Sequence, residues 1–142
     1  MTPEPLISVI IPTYNRCSIL FNTIKKVFNQ TWENIQLIIV DDYSSDDTRK
    51  TIQSINDSRI KYRRTERNLG CAGARSLGVK SSIGEFITFL DDDDEWKNNY
   101  LKNQLQVFNE YPLLDFVICD YQVQNIKGSR QFYNMKLFSK NF

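Results

Sequence analysis

The densest chemistry in the sequence lies in Asp91, Asp92, Asp93, Asp94, Glu95 and Trp96, a run of acids and an indole that ends the apolar stretch Phe86-Ile87-Thr88-Phe89-Leu90. Carboxylates about 4 Å apart repel by roughly 1 kcal/mol in water and about 4 kcal/mol at the effective dielectric near a protein surface. A chain that builds such a cluster needs a cation to offset it. In extended backbone, residues two apart point the same way and lie roughly 7 Å apart, so Asp91 and Asp93 are expected to face one ion or one ligand together. An all-oxygen, hard-donor set suits Mg2+, Mn2+ or Ca2+ rather than zinc or copper. The competing reading is a solvated turn whose acids, Asp94 and Glu95 above all, open the next helix and favour its dipole. On this stretch alone both readings stand.

Other residues acquire chemical meaning by their place in the chain. Pro12-Thr13-Tyr14-Asn15 follows one apolar run, and Asp41-Asp42 closes another. Tyr14 can flank a planar ring and Asp42 can accept hydrogen bonds from a base N–H, although either residue can equally belong to an ordinary turn. Arg75 offers charge that no pH removes, toward a ligand or toward Glu66 or Glu85. Gly70-x-x-Gly73 matches neither the dinucleotide fingerprint nor the P-loop, and these glycines read as backbone fit.

Composition narrows the chemistry. Among the 142 residues, 18 basic side chains balance 17 acidic ones, which gives no reason to expect nucleic-acid binding or electrostatic adsorption to a membrane. Histidine is absent, and with it go histidine bases, Ser-His and Cys-His nucleophiles and histidine-ligated metals. Cys17, Cys71 and Cys119 are widely spaced and form no CxxC, as expected of packing residues in a reducing compartment. The apolar run Leu6 to Ile11 has no basic leader and is too short for a signal core, and no run reaches the length of a membrane span. The expectation is a single soluble, cytoplasmic domain over residues 1–142.

The elements that must position these residues alternate. Ile7 to Ile11 reads as a strand stopped by Pro12, which cannot donate to a ladder. Leu20, Ile24, Val27 and Phe28 share a helix face, with Ser18 as the expected cap. Ile35 to Val40 is a buried strand. Ser44 with Asp47 suggests a capping box for a helix through Ile52 and Ile55. Ile60 to Arg64 reads as a more polar strand, and Ala74, Leu77, Gly78 and Ser81 form a small-residue helix face able to lie close on a sheet. Phe86 to Leu90 reads as a strand covered on both faces. Leu101, Leu105 and Phe108 mark a helix ending before Pro112, Phe116 to Tyr121 a further strand, and Lys127-Gly128-Ser129 a hairpin turn. Alternating strands and helices predict an α/β fold, a mostly parallel sheet with helices on both faces. The carboxyl ends at Pro12, Asp41 and Asp91 would then share one edge, where such sheets collect ligands.

Ile7 to Asn15 (ISVIIPTYN), Leu37 to Ser45 (LIIVDDYSS), Asn68 to Gly78 (NLGCAGARSLG) and Gly84 to Trp96 (GEFITFLDDDDEW), in this order and spacing, resemble the family 2 glycosyltransferases of the Rossmann-like GT-A fold. The likeness covers nearly all of the chain to about Tyr121. It implies a pocket for the nucleotide base, usually uracil, lined by Pro12, Thr13, Tyr14 and Asp42, with Arg75, Asp91 and Asp92 also toward the nucleotide-sugar. It implies a DxD site for Mn2+ or Mg2+ at Asp91 and Asp93, with Asp93 the direct ligand, and an acceptor side at Trp96 and Asp94. Ser76 stands where the family has Asn after Ala-Arg. The implied reaction is metal-dependent, inverting transfer of a sugar from a UDP-sugar to a saccharide or lipid-linked acceptor, in the cytoplasm or at the inner face of the membrane. The carboxylate base is expected downstream of this chain, which is incomplete at its C-terminus relative to the family. The alternative is a non-catalytic half-domain that binds the nucleotide diphosphate and transfers nothing.

Overall fold

A computed structural model describes residues 4–124 and 130–133. Two compact units divide the chain, Met1–Leu101 and Lys102–Phe142.

In the first unit, β1 (Ile7–Thr13) and β2 (Ile35–Asp41) are buried at every position. Nothing but a central strand of a two-sided sheet has that pattern. With β3 (Ile60–Arg64) and β4 (Phe86–Phe89) they form a four-stranded sheet in the order β3-β2-β1-β4. Every pair is parallel, with Ile7 opposite both Ile35 and Phe86 and Leu37 opposite Ile60. The connections β1-α1-β2 and β2-α2-β3 step one way and β3-α3-β4 steps back. Right-handed crossovers therefore place α1 (Cys17–Phe28) and α2 (Thr48–Gln53) on one face and α3 (Gly70–Lys80) on the other. All four strands bring their carboxyl ends to one edge, as expected.

Burial is nearly complete in the middle. Ile10, Ile38 and Val40 pack with Ala74 of α3, and Leu77 lies against that cluster. The alternate residues Val9, Ile11, Leu37 and Ile39 are also fully buried, on the opposite face. Each such side chain stabilises the fold by about 1.5–3 kcal/mol relative to exposure. The small face of α3 has the predicted consequence: a Cβ on Gly78 would stand 2.4 Å from Ile10 Cγ2, so the helix sits as close as glycine permits.

Several local expectations change. Pro12 does not stop β1, which runs on to pair Thr13 with Asp41. Leu6 and Ile10 turn their carbonyls to β4, accepting from Phe86 and Leu90, and by alternation the Pro12 nitrogen faces that same side. There β4 ends at Phe89. Neither Ser18 nor Ser44 caps a helix. Arg16 precedes α1 and Asp47 precedes α2, neither with a side-chain cap bond. Instead Asp46 serves both helices, its Oδ2 accepting Cys17 N–H and its Oδ1 accepting the N–H and hydroxyl of Thr48. Ile55 lies past the end of α2. β4 is not covered on both faces: Ile87 and Phe89 are each 43% exposed, because β4 pairs with β1 alone and forms an edge among the described residues.

Helix α4 (Tyr100–Glu110) buries Leu101 and Leu105, as its spacing predicts. In the second unit, β5 (Tyr121–Gln124) pairs antiparallel with β6 (Arg130–Tyr133). Residues 116–120 are not a strand, and no ladder partner for them occurs among the described residues. The expected turn at Lys127-Gly128-Ser129 lies outside the described residues.

Candidate functional site

The carboxyl edge of the sheet holds three loops that exchange hydrogen bonds. After β1, Asn15 adopts a left-handed φ of 54°, which asparagine tolerates better than most residues. Its backbone N–H donates to Ser44 Oγ, and its Oδ1 accepts the N–H of Ser45. The loop after β1 is thereby tied to the loop after β2. Asp41, 1% exposed, accepts the Ser44 N–H at Oδ1 and the Tyr62 hydroxyl at Oδ2. Tyr43 follows with φ 71°, a conformation costly for a bulky side chain and found most often where a site requires it. Its half-exposed ring lies 5.1 Å from the Arg64 guanidinium, and Arg64 Nη2 donates to Ser44 O at 2.8 Å.

Asp42 is 4% exposed. Thr65 Oγ1 donates to its Oδ1 at 3.0 Å and the Leu69 N–H donates to the same oxygen at 2.9 Å. No partner for Oδ2 occurs among the described residues, so the carboxylate is oriented by one oxygen and keeps the other as an acceptor. Pro12 and Thr13 are buried at the end of β1, and Tyr14 follows with its ring 48% exposed.

The acid run is a turn, closed by the Asp94 N–H donating to Asp91 O at 3.0 Å. It is not extended, and this corrects the premise that placed Asp91 and Asp93 on one side. Their carboxylates go to different guanidinium groups. Arg75 Nη2 donates to Asp91 Oδ1, and Arg16 Nη1 donates to Asp93 Oδ2 at 2.6 Å. Arg75 thus pairs with neither Glu66 nor Glu85, and it lies in the second turn of α3. Its Nε is buried with no hydrogen-bond partner among the described residues.

Between these two, Asp92 turns inward. Thr13 Oγ1 donates to its Oδ2 at 2.7 Å, and its backbone carbonyl accepts the Thr23 hydroxyl. Burial raises the Asp92 pKa above the ordinary carboxylate value, against the Thr13 hydrogen bond and Arg16, which lower it. Asp94 is raised as well, by desolvation first and then by the charges of Asp91 and Asp93. Neither Asp94 nor Glu95 opens a helix, since α4 begins at Tyr100. Glu95 pairs with Lys26 at 3.0 Å. Trp96 stacks on Tyr100, ring centroids 4.4 Å apart. An open cleft of about 260 Å³ separates Ile19, Asn22, Thr23 and Lys26 of α1 from the loop Asp92 to Glu95.

The donor chemistry of this loop fits a hard divalent cation. Five carboxylates, Asp91 to Glu95, meet three paired cations, Arg16, Arg75 and Lys26, so two negative charges stay uncompensated among the described residues. Asp93 carries its carboxylate at the surface, 53% exposed. No ready-made group of three ligands occurs among the described residues. Sequence reasoning missed Arg16, Thr65 and Arg64. The rule that singled out Asp42 and Asp91, inspecting each residue just past a strand's carboxyl end, finds Arg64 and Thr65 when applied to β3. Nothing in the sequence marks Arg16.

Comparison with known proteins gives a consistent set of likenesses. The family model Glycosyl transferase family 2 matches residues 8–141. The GalNAc(5)-diNAcBac-PP-undecaprenol beta-1,3-glucosyltransferase of Campylobacter jejuni is 41% identical over 109 residues, covering 75% of this chain and 35% of that protein. The Escherichia coli UDP-Glc:alpha-D-GlcNAc-diphosphoundecaprenol beta-1,3-glucosyltransferase WfgD is 38% identical over 120 residues, 84% of this chain and 47% of that protein. The chain thus spans 35% to 47% of the length of these two relatives. Among solved structures, S. aureus TarS 1-349 in complex with UDP-GlcNAc matches with a TM-score of 0.70 at 28% identity, over 75% of this chain and 32% of that one.

Proposed function

Because the chain belongs to glycosyl transferase family 2 and has its GT-A fold, we propose that it is the donor-binding part of an inverting glycosyltransferase. It takes a UDP-sugar with Mn2+ or Mg2+ and serves transfer to a saccharide or lipid-linked acceptor. Residues 1–142 form one nucleotide-binding domain in this reading. The observation that carries it is Asp42, whose Oδ1 is held by Thr65 and Leu69 while Oδ2 is left to accept, at the sheet edge that also carries Tyr14 and the acid loop.

Each residue has a task. Asp42 Oδ2 accepts an N–H of the base, the Tyr14 ring flanks it, and Pro12 and Thr13 close the wall beside β1. Thr13 also fixes Asp92, whose buried carboxylate keeps the loop in register toward the ribose and sugar. Arg75 orients Asp91. Asp93 would be the direct ligand of the divalent ion, with Asp91, held by Arg75, turned to the nucleotide-sugar; when bound, the ion would supply counter-charge for the departing diphosphate. Trp96 and Asp94 border the acceptor. The acceptor hydroxyl attacks the anomeric carbon in line and loses its proton to a carboxylate base, a role assigned to no residue described here. Both curated relatives are named for undecaprenol-linked diphosphates, which supports a lipid-linked acceptor and a cytoplasmic location peripheral to the membrane. Among the described residues no helix is long and apolar enough to cross one.

Calorimetry with UDP tests the reading. UDP affinity is expected to depend on Mn2+ and to lose that dependence in Asp93→Ala; equal affinity with and without chelator overturns the metal assignment. Asp42→Ala is expected to weaken UDP more than inorganic pyrophosphate. Release of UDP from UDP-sugar above the buffer rate separates a transferase from a module that only binds.

A further inference from the structure

Arg16 has no place in the scheme above, yet its guanidinium pairs with Asp93, the residue assigned as the direct metal ligand. Its Nη1 lies 2.6 Å from Asp93 Oδ2 and 3.8 Å from Asp92 Oδ1. Both members of the Arg16–Asp93 pair are about half exposed, 46% and 53%, and exposed ion pairs form and break at little cost. Arg75 differs less in exposure, at 38%, than in anchoring, because its Nε is enclosed. Of the two guanidinium groups on the acid loop, Arg16 is the one free to leave.

We infer that Arg16 is a resident counter-ion that holds the Asp93 carboxylate in place before the donor arrives and is displaced when a divalent cation binds there. The inference rests on the metal reading proposed above. Its physical basis is competition for one carboxylate. A guanidinium hydrogen-bonded to Asp93 and a divalent ion on the same group would be like charges a few ångströms apart, with the doubly charged ion doubling the repulsion of a unit pair. The loop does not collapse when Arg16 leaves, because Asp91 keeps Arg75, Asp92 keeps Thr13 and the turn keeps its Asp94 to Asp91 hydrogen bond. Arg16 precedes α1 without a side-chain cap bond, so its side chain can swing without unwinding the helix. Metal affinity is thereby lowered in the empty protein, and the acids are kept apart and ordered until the ion and its diphosphate arrive together.

Mn2+ binding to the chain without nucleotide, followed by electron paramagnetic resonance of the free ion, tests this directly. Arg16→Ala is expected to tighten Mn2+ by about tenfold, and Arg16→Lys to return affinity toward the original. A gain of affinity on deleting a side chain is not what loss of a merely structural contact produces. Unchanged or weaker Mn2+ binding in Arg16→Ala, or no binding in either protein, overturns the inference. Asp93→Ala separates the two levels: if it binds Mn2+ as well as the parent chain does, the metal assignment itself fails. If it abolishes binding while Arg16→Ala leaves the affinity as it was, only the role of Arg16 fails.

Discussion

Thr65 Oγ1 donates to Asp42 Oδ1 at 3.0 Å, from a residue just past β3 to one just past β2, and both side chains are buried. The bond fixes which carboxylate oxygen can accept from a ligand. Thr65→Val keeps the shape and removes the donor, leaving the Leu69 N–H as the partner of Oδ1 among the described residues. UDP affinity is expected to fall roughly five- to tenfold, about 1–1.4 kcal/mol, while pyrophosphate affinity stays as it was. Calorimetric titration with the two ligands measures the contrast, and an equal loss for both would show that Thr65 acts on the whole edge rather than on Asp42.

Asp46 gives the fold an acid-sensitive joint. Burial tends to raise its pKa, but the hydrogen bonds from Thr48 and Cys17 outweigh this and hold it at about 2, below the ordinary carboxylate value. A carboxyl group with a depressed folded pKa stabilises the fold above its unfolded pKa and loses that contribution as pH falls through the folded one. Stability against urea should therefore drop between about pH 4 and pH 2, and Asp46→Asn should be less stable at neutral pH with a flatter profile across that window. An unchanged profile would mean that the joint contributes nothing.

The close approach of α3 predicts a packing cost that depends on what the added methyl meets. At Gly78 a Cβ would meet Ile10 side-chain atoms at 2.4 and 3.2 Å, whereas at Gly84 it would meet Ser8 N at 2.7 Å and Leu6 O at 2.8 Å. A side chain can rotate and backbone cannot. Gly78→Ala is expected to cost about 1–3 kcal/mol by overpacking, and Gly84→Ala more, because it separates the start of β4 from β1. Urea midpoints of the two variants give the order, and the reverse order would contradict the register of β4 on β1.

What the sequence made legible follows from the range of the forces involved. Ile7 to Ile11 and Leu37 to Val40 are continuous apolar runs, and a continuous run can be satisfied only inside a two-sided sheet, so β1 and β2 were readable. The run Phe86 to Leu90 looks the same, but its burial depends on a neighbour beyond β4, which no local pattern reports. Ser18 and Ser44 carried the right chemistry for caps, and Asp46, separated from Cys17 by a whole βα unit, displaced one of them by a tertiary hydrogen bond. The candidate site divides in the same way. Asp42 and the acid loop were legible because strand ends collect ligands, while the divergence of Asp91 and Asp93 was not, because it is set by Arg16 and Arg75 arriving from two other elements.

Tyr62 offers a test of the layer beneath the site. Its hydroxyl donates to Asp41 Oδ2, beneath the loop that carries Asp42, and its pKa is pushed above the ordinary phenol range by desolvation first and then by the Asp41 carboxylate. A group whose folded pKa is raised stabilises the fold below its unfolded pKa, near 10, and loses that contribution as pH rises further. In an ultraviolet titration of the folded protein, the phenolate signal of Tyr62 should be missing where unperturbed tyrosines ionise, and Tyr62→Phe should leave that part of the curve unchanged. The same variant takes one donor from a carboxylate that is 1% exposed, which should cost about 1–3 kcal/mol of stability. UDP affinity should change little, since Thr65 and Leu69 still hold Asp42. A loss of UDP affinity as large as that of Thr65→Val would instead show that Asp41 positions the base-binding carboxylate through the backbone between them.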